Sequence, residues 1–210
     1  MDTIYKSDTK RVFLTFDDGP SPVTSKIVDI LKQENVKATF FILGSNVDSR
    51  KDVVKRMYEE GHYLANHGYS HTYSKIYSSP QSVLDEYNEC NDKVKNAIEV
   101  PDYNSHLFRF PGGLAGGKYA EIKKEAKELL LQNNIVNVDW NALTGDAETN
   151  NLSLEFEMTR LTETMGSKNS LVILMHDAAA KSVTADALPQ IIAKLKEEGY
   201  EFKNFYDIIK

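Results

Sequence analysis

Arg11 to Pro20 reads R-V-F-L-T-F-D-D-G-P, and the rest of the chain is read outward from it. Arg11 to Phe16 is a short run of β-branched, aromatic and aliphatic residues, the pattern of a buried strand. The strand stops at Asp17, and Gly19-Pro20 turns the chain. Two adjacent aspartates at a buried strand end repel each other and are desolvated, so they need a cation or an arginine nearby. An isolated D-D-G-P is more often a solvated Asx turn. What reverses that reading here is the strand before it and the histidines after it, since His67 and His71 stand four positions apart. A carboxylate with two imidazoles suits zinc and related first-row metals, and three protein ligands leave positions open for water and substrate.

Outward from this stretch, short apolar runs alternate with amphipathic segments. Strands are expected at 11–16, 38–42, 62–66, 106–109, 135–140 and 170–175, with a weak one near 201–203. Helices are expected at 23–34, 47–60, 80–98, 117–132, 153–166 and 184–198. Ile27, Ile30 and Leu31 share one face of the first helix, and Leu188, Ile191, Ile192 and Leu195 share one face of the last. Strict alternation of strand and helix implies an α/β protein with parallel pairing and right-handed crossovers. About seven such units are enough to close a barrel, and a doubly wound open sheet is the alternative. In either architecture the chemistry gathers at the C-terminal ends of the strands. Asp17, Asp18, His67, Arg109, Asp146 and His176 all follow or close expected strands, so they should share one rim.

With 210 residues and 41% apolar content the chain can bury one large core, read as a single domain over 11–210 behind a short N-terminal extension, 1–10. A net charge of −6 argues against nucleic acid as a partner. No run approaches the ~20 apolar residues that span a bilayer. No signal-like segment precedes Arg11, so both a cytoplasmic protein and a wall-associated domain whose leader lies outside this sequence stay open. Cys90 is the single cysteine, which excludes an internal disulfide, and it falls in a polar helical stretch as an incidental thiol. The sequon at Asn151 carries no weight without a glycosylating compartment. His62 and His106 read as structural or surface histidines, the 118–128 stretch as a solvated helix face, and Tyr69, Tyr73, Tyr77 and Tyr103 as packing residues before sugar platforms.

T-F-D-D-G-P at 15–20, H-G-Y-S-H at 67–71, R-F-P-G-G at 109–113, D-W-N-A-L-T-G-D at 139–146 and I-L-M-H-D at 173–177 resemble, in order, the motifs of polysaccharide deacetylases. This is the NodB-homology domain, carbohydrate esterase family four. The resemblance covers essentially everything after Lys10. It implies a distorted (β/α) barrel and metal-dependent removal of N-acetyl groups from sugars, or of O-acetyl groups in some members. Carried over by position, it implies Asp18, His67 and His71 as metal ligands, with zinc first and cobalt or nickel next. It implies Asp17 as catalytic base, Arg109 as the arginine holding that base, Asp146 as the carboxylate orienting the last histidine, and His176 as general acid. Leu174 corresponds to the leucine against the acetyl methyl, Gly112 to the backbone donor for the oxyanion, and Trp140 to a partial substitute for a substrate-side aromatic. Arg109 beside Asp17 should keep that carboxylate ionised.

Three positions depart from the family pattern. Gly68 stands where a Ser or Thr hydroxyl usually braces the metal loop, which should loosen His67. Gly112 replaces a frequent aromatic, which should open the groove. Ala147 follows Asp146 where Trp is common, and an alignment on Asp139-Trp140 competes with the favoured one on Asp146. The implied activity is deacetylation of N-acetylglucosamine-type sugars, in peptidoglycan or a chitin-like oligomer, by a monomer at a bacterial surface or wall. O-deacetylation of xylan and a catalytically weak sugar- or metal-binding relic are the alternatives. A serine hydrolase is set aside because no G-x-S-x-G elbow is present.

Overall fold

The computed structural model describes residues 2–209. Eight strands, β1 (Arg11–Asp17), β2 (Thr39–Ile42), β3 (Tyr63–Asn66), β4 (Leu107–Phe108), β5 (Val136–Asn137), β6 (Ala142–Leu143), β7 (Ser170–His176) and β8 (Glu201–Lys203), form one sheet. Its main path of seven parallel strands runs β5-β4-β3-β2-β1-β7-β6 and curls into a distorted (β/α) barrel. β8 pairs with Arg11–Phe13 of β1, below the stretch Thr15–Asp17 that pairs with β2. The helices are α1 (Pro22–Gln33), α2 (Gly44–Val47), α3 (Lys51–Glu59), α4 (Tyr73–Ile76), α5 (Pro80–Ile98), α6 (Ala120–Gln132), α7 (Leu154–Met165) and α8 (Ser182–Glu197).

Side chains of β1 divide by the pleat. Val12, Leu14 and Phe16 point outward into the main core, where they meet Ile27, Val28 and Leu31 of α1 and Leu188, Ile191 and Ile192 of α8. Phe13 points into the lumen with Phe41, Tyr63, Leu107, Val138, Val172 and Phe205, and Asp17 lies on that same inward side. Each of these residues is nearly or fully buried.

The N-terminal residues read as an extension pack against the barrel. Asp2–Tyr5 is a 3-10 turn, and Ile4 is 2% exposed within the lumen cluster. Ser170 donates to the Ile4 carbonyl at 2.5 Å and Arg11 to the Lys6 carbonyl at 3.0 Å, so the turn sits at the N-terminal ends of β1 and β7. The expected strand 135–140 pairs only at Val136–Asn137. The chain then crosses from one edge of the sheet to the other and resumes as β6, which pairs with β7 and was not expected. The expected helix 47–60 forms only from Lys51, behind the separate turn α2. Cys90 is fully buried, with its thiol donating to the Ile42 carbonyl at 3.2 Å. Asn151 is exposed.

Candidate active site

The C-terminal ends of β1, β3, β4 and β7 bring the sequence-selected residues to one rim. β1 delivers Asp17 inward. Asp18 leaves the pleat with φ of 76°, a left-handed conformation that Asp tolerates better than most residues. Gly19 follows because a Cβ there would collide with the Asp177 carboxylate. That carboxylate accepts from Thr24 Oγ1 at 2.5 Å, while Ser21 Oγ donates to the Asp177 carbonyl at 2.5 Å, so the turn is stapled to the end of β7. Burial pushes the Asp177 carboxyl up to about 7. Nothing in the strand period singled out Asp177, although it adjoins His176.

The two histidines are placed by the loop after β3. His67 is buried, and its Nδ1–H donates to the Arg109 carbonyl at 2.7 Å, which leaves the Nε2 lone pair facing Asp18. Burial lowers its pKa to about 3, so the ring is neutral, the form that binds metals. His71, with φ of 53°, brings its Nε2 to 3.5 Å from Asp18 Oδ1, and His67 Nε2 lies 3.6 Å from the same oxygen. One ligand atom from each of Asp18, His67 and His71 lies within 4.8 Å of the others. Asp18 Oδ1 is buried and has no hydrogen-bond partner, a costly arrangement that a cation would relieve. The donor set fits a divalent metal.

The loop is braced despite Gly68. Its φ of 85° suits glycine, and its amide donates to Asn66 Oδ1 at 2.9 Å. Glu86 of α5 then accepts from the amides of Tyr69 and Ser70 at 2.7 Å each and from Ser70 Oγ at 2.5 Å. The expected loosening of His67 is therefore offset by a carboxylate reaching in from α5. Glu86 gives no signal in sequence, being one acid among many on a polar helix. Gly112 likewise does not open the groove, since the Tyr73 hydroxyl occupies the space a side chain there would fill. Tyr73 is 40% exposed and packs beside His71 with ring centroids 5.6 Å apart, so it supplies an aromatic wall.

Asp17 and His176 are register partners across β1 and β7. Arg109, fully buried, donates from Nη1 to Asp17 Oδ1 and to Thr15 Oγ1, both at 2.8 Å, and from Nε to the Val138 carbonyl at 2.9 Å. Its guanidinium lies 3.9 Å from the Phe41 ring centre. Arg109 favours the ionised form of Asp17, as expected, by charge and by hydrogen bond. Burial outweighs the pull of Arg109 and His176, and the carboxyl sits above its ordinary value. A buried carboxylate held this way is a stronger base than a surface one.

His176 Nδ1 lies 2.8 Å from Asp146 Oδ1, and the His176 amide donates to Asp146 Oδ2 at 2.7 Å. Burial opposes the imidazolium, but the bond and charge of Asp146, with Asp17 and Asp18 nearby, overcome it and raise the ring to about 9. Asp139, the competing candidate, points elsewhere: its Oδ2 accepts the Leu114 amide at 3.2 Å and its carbonyl accepts from Arg109 at 3.0 Å. Lys181 was missed by sequence. It donates to the Asp146 carbonyl at 2.6 Å and lines the site.

These groups open onto a cavity of about 460 Å³, with Asp17, Asp18, His67, His71 and His176 at its base and Tyr73, Gly112, Trp140, Leu143, Leu174 and Lys181 around it. Arg109 and Asp146 stand behind the base. His62 and His106 lie apart: His62 is buried and accepts the Ala38 amide at 3.1 Å, and His106 Nδ1 lies 3.0 Å from the Asn134 carbonyl.

A metal-type triad flanked by a buried carboxylate and an imidazole paired with a second carboxylate is the constellation of a hydrolase, mounted on a curled parallel barrel. The chain belongs to the polysaccharide deacetylase family, whose model matches residues 5–132. It is 32% identical over 203 residues to a peptidoglycan-N-acetylglucosamine deacetylase of Bacillus cereus, covering 95% of this chain and 71% of that protein. It is 35% identical to the Listeria monocytogenes peptidoglycan-N-acetylglucosamine deacetylase PgdA, where the match covers 92% of this chain but only 37% of the relative. Among solved structures, a CE4 esterase of Streptococcus mutans superposes with a TM-score of 0.87 at 34% identity, covering 97% of this chain and 90% of that one. The catalytic domain of a peptidoglycan N-acetylglucosamine deacetylase from Eubacterium rectale gives 0.86 at 30% identity, covering 95% and 90%.

Proposed function

We propose that this chain is a metal-dependent deacetylase that hydrolyses the N-acetyl group of N-acetylglucosamine-type sugars in peptidoglycan or a chitin-like oligomer, releasing acetate. The observation that carries the reading is the buried, unpartnered Asp18 Oδ1 facing the Nε2 atoms of His67 and His71, with a base and an acid on either side. Asp18, His67 and His71 would hold a divalent ion, zinc before cobalt or nickel. Such an ion supplies acidity to a water and polarises the acetyl carbonyl.

The protein's own groups do the rest. Asp17 accepts the proton of the attacking water, a role that its raised basicity and its bond to Arg109 favour. The Gly112 amide at the cavity wall donates to the developing oxyanion, a contribution of about 3 kcal/mol in comparable sites. Leu174 packs against the acetyl methyl, and Trp140 and Tyr73 flank the sugar. His176, cationic through the neutral range, protonates the departing amine. An amide nitrogen must be protonated before it can leave, and the His176 imidazolium stands ready to supply that proton. The names of the relatives support peptidoglycan as the polymer, and with it action at a bacterial cell wall. No described helix is long and apolar enough to cross a membrane.

Acetate release from peptidoglycan, chitin oligomers and acetylxylan, measured with and without chelator, tests the reading. Chelator-sensitive release from the first two is expected. Release that survives metal removal, or acetylxylan as the sole substrate, would overturn it.

A further inference from the structure

Behind Asp146 lies a second carboxylate that the mechanism above does not use. Glu157, on the inner face of α7, is 0% exposed and is the one fully buried glutamate among the described residues. Thr184, in the first turn of α8, stands between the two acids. Its Oγ1 is 3.1 Å from Asp146 Oδ2 and 3.2 Å from Glu157 Oε1. Glu157 Oε2 is buried without a hydrogen-bond partner.

A count of hydrogens decides how this row is wired. A threonine hydroxyl carries one hydrogen, and ionised carboxylates carry none. Two ionised acids would therefore contest the Thr184 hydrogen, with the Thr144 hydroxyl the one further donor beside Glu157, and would repel each other where water is excluded. A proton held by one of the two relieves both the contest and the repulsion. Asp146 already accepts from Nδ1 and the amide of His176, so it is the anion facing the imidazolium. Glu157 has no cation bonded to it. We propose that Glu157 is a positioning residue that stays protonated, donates its hydrogen to Thr184 Oγ1, and so directs the Thr184 hydrogen onto Asp146, fixing Asp146 as the anionic partner of His176.

The surroundings agree. Burial first, and then the charge of Asp146, lift the Glu157 carboxyl to about 7, while Thr184, Thr144 and Lys181 pull the other way. The charged groups around the row are Asp146 from the loop after β6, His176 from β7 and Lys181 before α8, with Asp17 and Asp18 reaching His176 from β1. Ionising Glu157 would place a second anion behind Asp146 and contest the Thr184 hydrogen, so loss of the glutamate proton and loss of the imidazolium proton oppose each other.

This inference rests on the assigned roles of His176 and Asp146, so its first test needs neither substrate nor metal. Wild-type protein carrying ¹³C at the glutamate carboxyl carbons is titrated by NMR in the metal-free state. One carboxyl is expected to keep its proton when the surface glutamates have lost theirs, and Glu157→Gln is expected to lack that signal. If every glutamate titrates in the ordinary carboxylate range, the proposal is overturned whatever the enzyme turns out to hydrolyse. Turnover on the substrate identified by acetate release supplies the second test. Thr184→Val should move the His176-governed limb of the kcat profile by at least half a pH unit with KM within twofold, and Thr184→Ser should restore it. Glu157→Gln, which keeps a neutral donor, should follow the wild-type profile far more closely than Glu157→Ala. A Thr184→Val profile that matches wild type, or a Glu157→Gln shift as large as that of Thr184→Val, would refute the wiring. Should the variants fail to fold, the wild-type titration decides alone.

Discussion

The two halves of the rim are built on opposite principles. On the side proposed to hold the metal, Asp18 and His71 adopt left-handed backbone conformations and a buried Asp18 oxygen has no partner. On the proton side, Asp17 and His176 sit at the ends of regular strands, and each has its companion already bonded, Arg109 for one and Asp146 for the other. One half is electrostatically incomplete and the other is satisfied. Under the proposed function, strain and missing partners mark the place where a ligand arrives, whereas preorganised hydrogen bonds mark the place where a proton moves.

That contrast can be broken by experiment. The largest effect belongs to the incomplete half. His71→Ala should lose the metal by elemental analysis and take acetate release to background, with secondary structure intact, because His71 is partly exposed. Undiminished metal content would remove it as a ligand. Next, Asp17→Asn should lower kcat by about 10³-fold, within the range for a positioned base, while metal stays bound. Retained turnover would show that the proton leaves by another route. Arg109→Met tests the satisfied half through stability. Stranding Asp17 in the lumen should cost about 3–5 kcal/mol in denaturant unfolding of the metal-free protein, and a loss below 1 kcal/mol would mean the pair is not coupled.

A pH scan sharpens the comparison further. His176 is raised from 6.5 to about 9, so it contributes stability below its unfolded pKa that is lost as pH rises through 9. At lower pH the groups offset one another. Buried Asp177 and Glu157, each pushed up to about 7, favour acid, whereas His62 and His67, lowered to about 4 and about 3, favour higher pH. Metal-free protein should therefore lose stability mainly between pH 6.5 and 9, by at most roughly 3 kcal/mol, and His176→Gln should flatten that decline. The smallest effect is at the wall, where Tyr73→Ala should raise KM by up to about tenfold and leave kcat near wild type.

Much of this was legible in the sequence because it depends on period and punctuation. The β1 pattern, the turn after it and the alternation of strands with helices place Asp17, Asp18, His67, Arg109 and His176 on one rim, where they stand. What escaped depends on contacts between distant segments. β6 is two residues long, too short to show a period, and forms only because Ala142 and Leu143 find β7. Glu86 and Glu157 sit in ordinary polar helices, and only tertiary packing turns one toward the metal loop and buries the other. Tyr73 compensates for Gly112 from a segment about forty residues away, which no local reading could pair.

Ile4 and the N-terminal turn also change what the barrel is. With Ile4 and Phe205 packed into the lumen among Phe13, Tyr63 and Val172, the interior is filled below the rim, so the molecule is a cup and not a tube. Arg109 at 0% exposure marks the depth at which water stops. Traffic therefore runs through one mouth. Under the proposed reaction, acetate must retreat past the sugar it has just left, and the next chain cannot enter until it has gone. Free acetate should accordingly compete with the polysaccharide for the empty site.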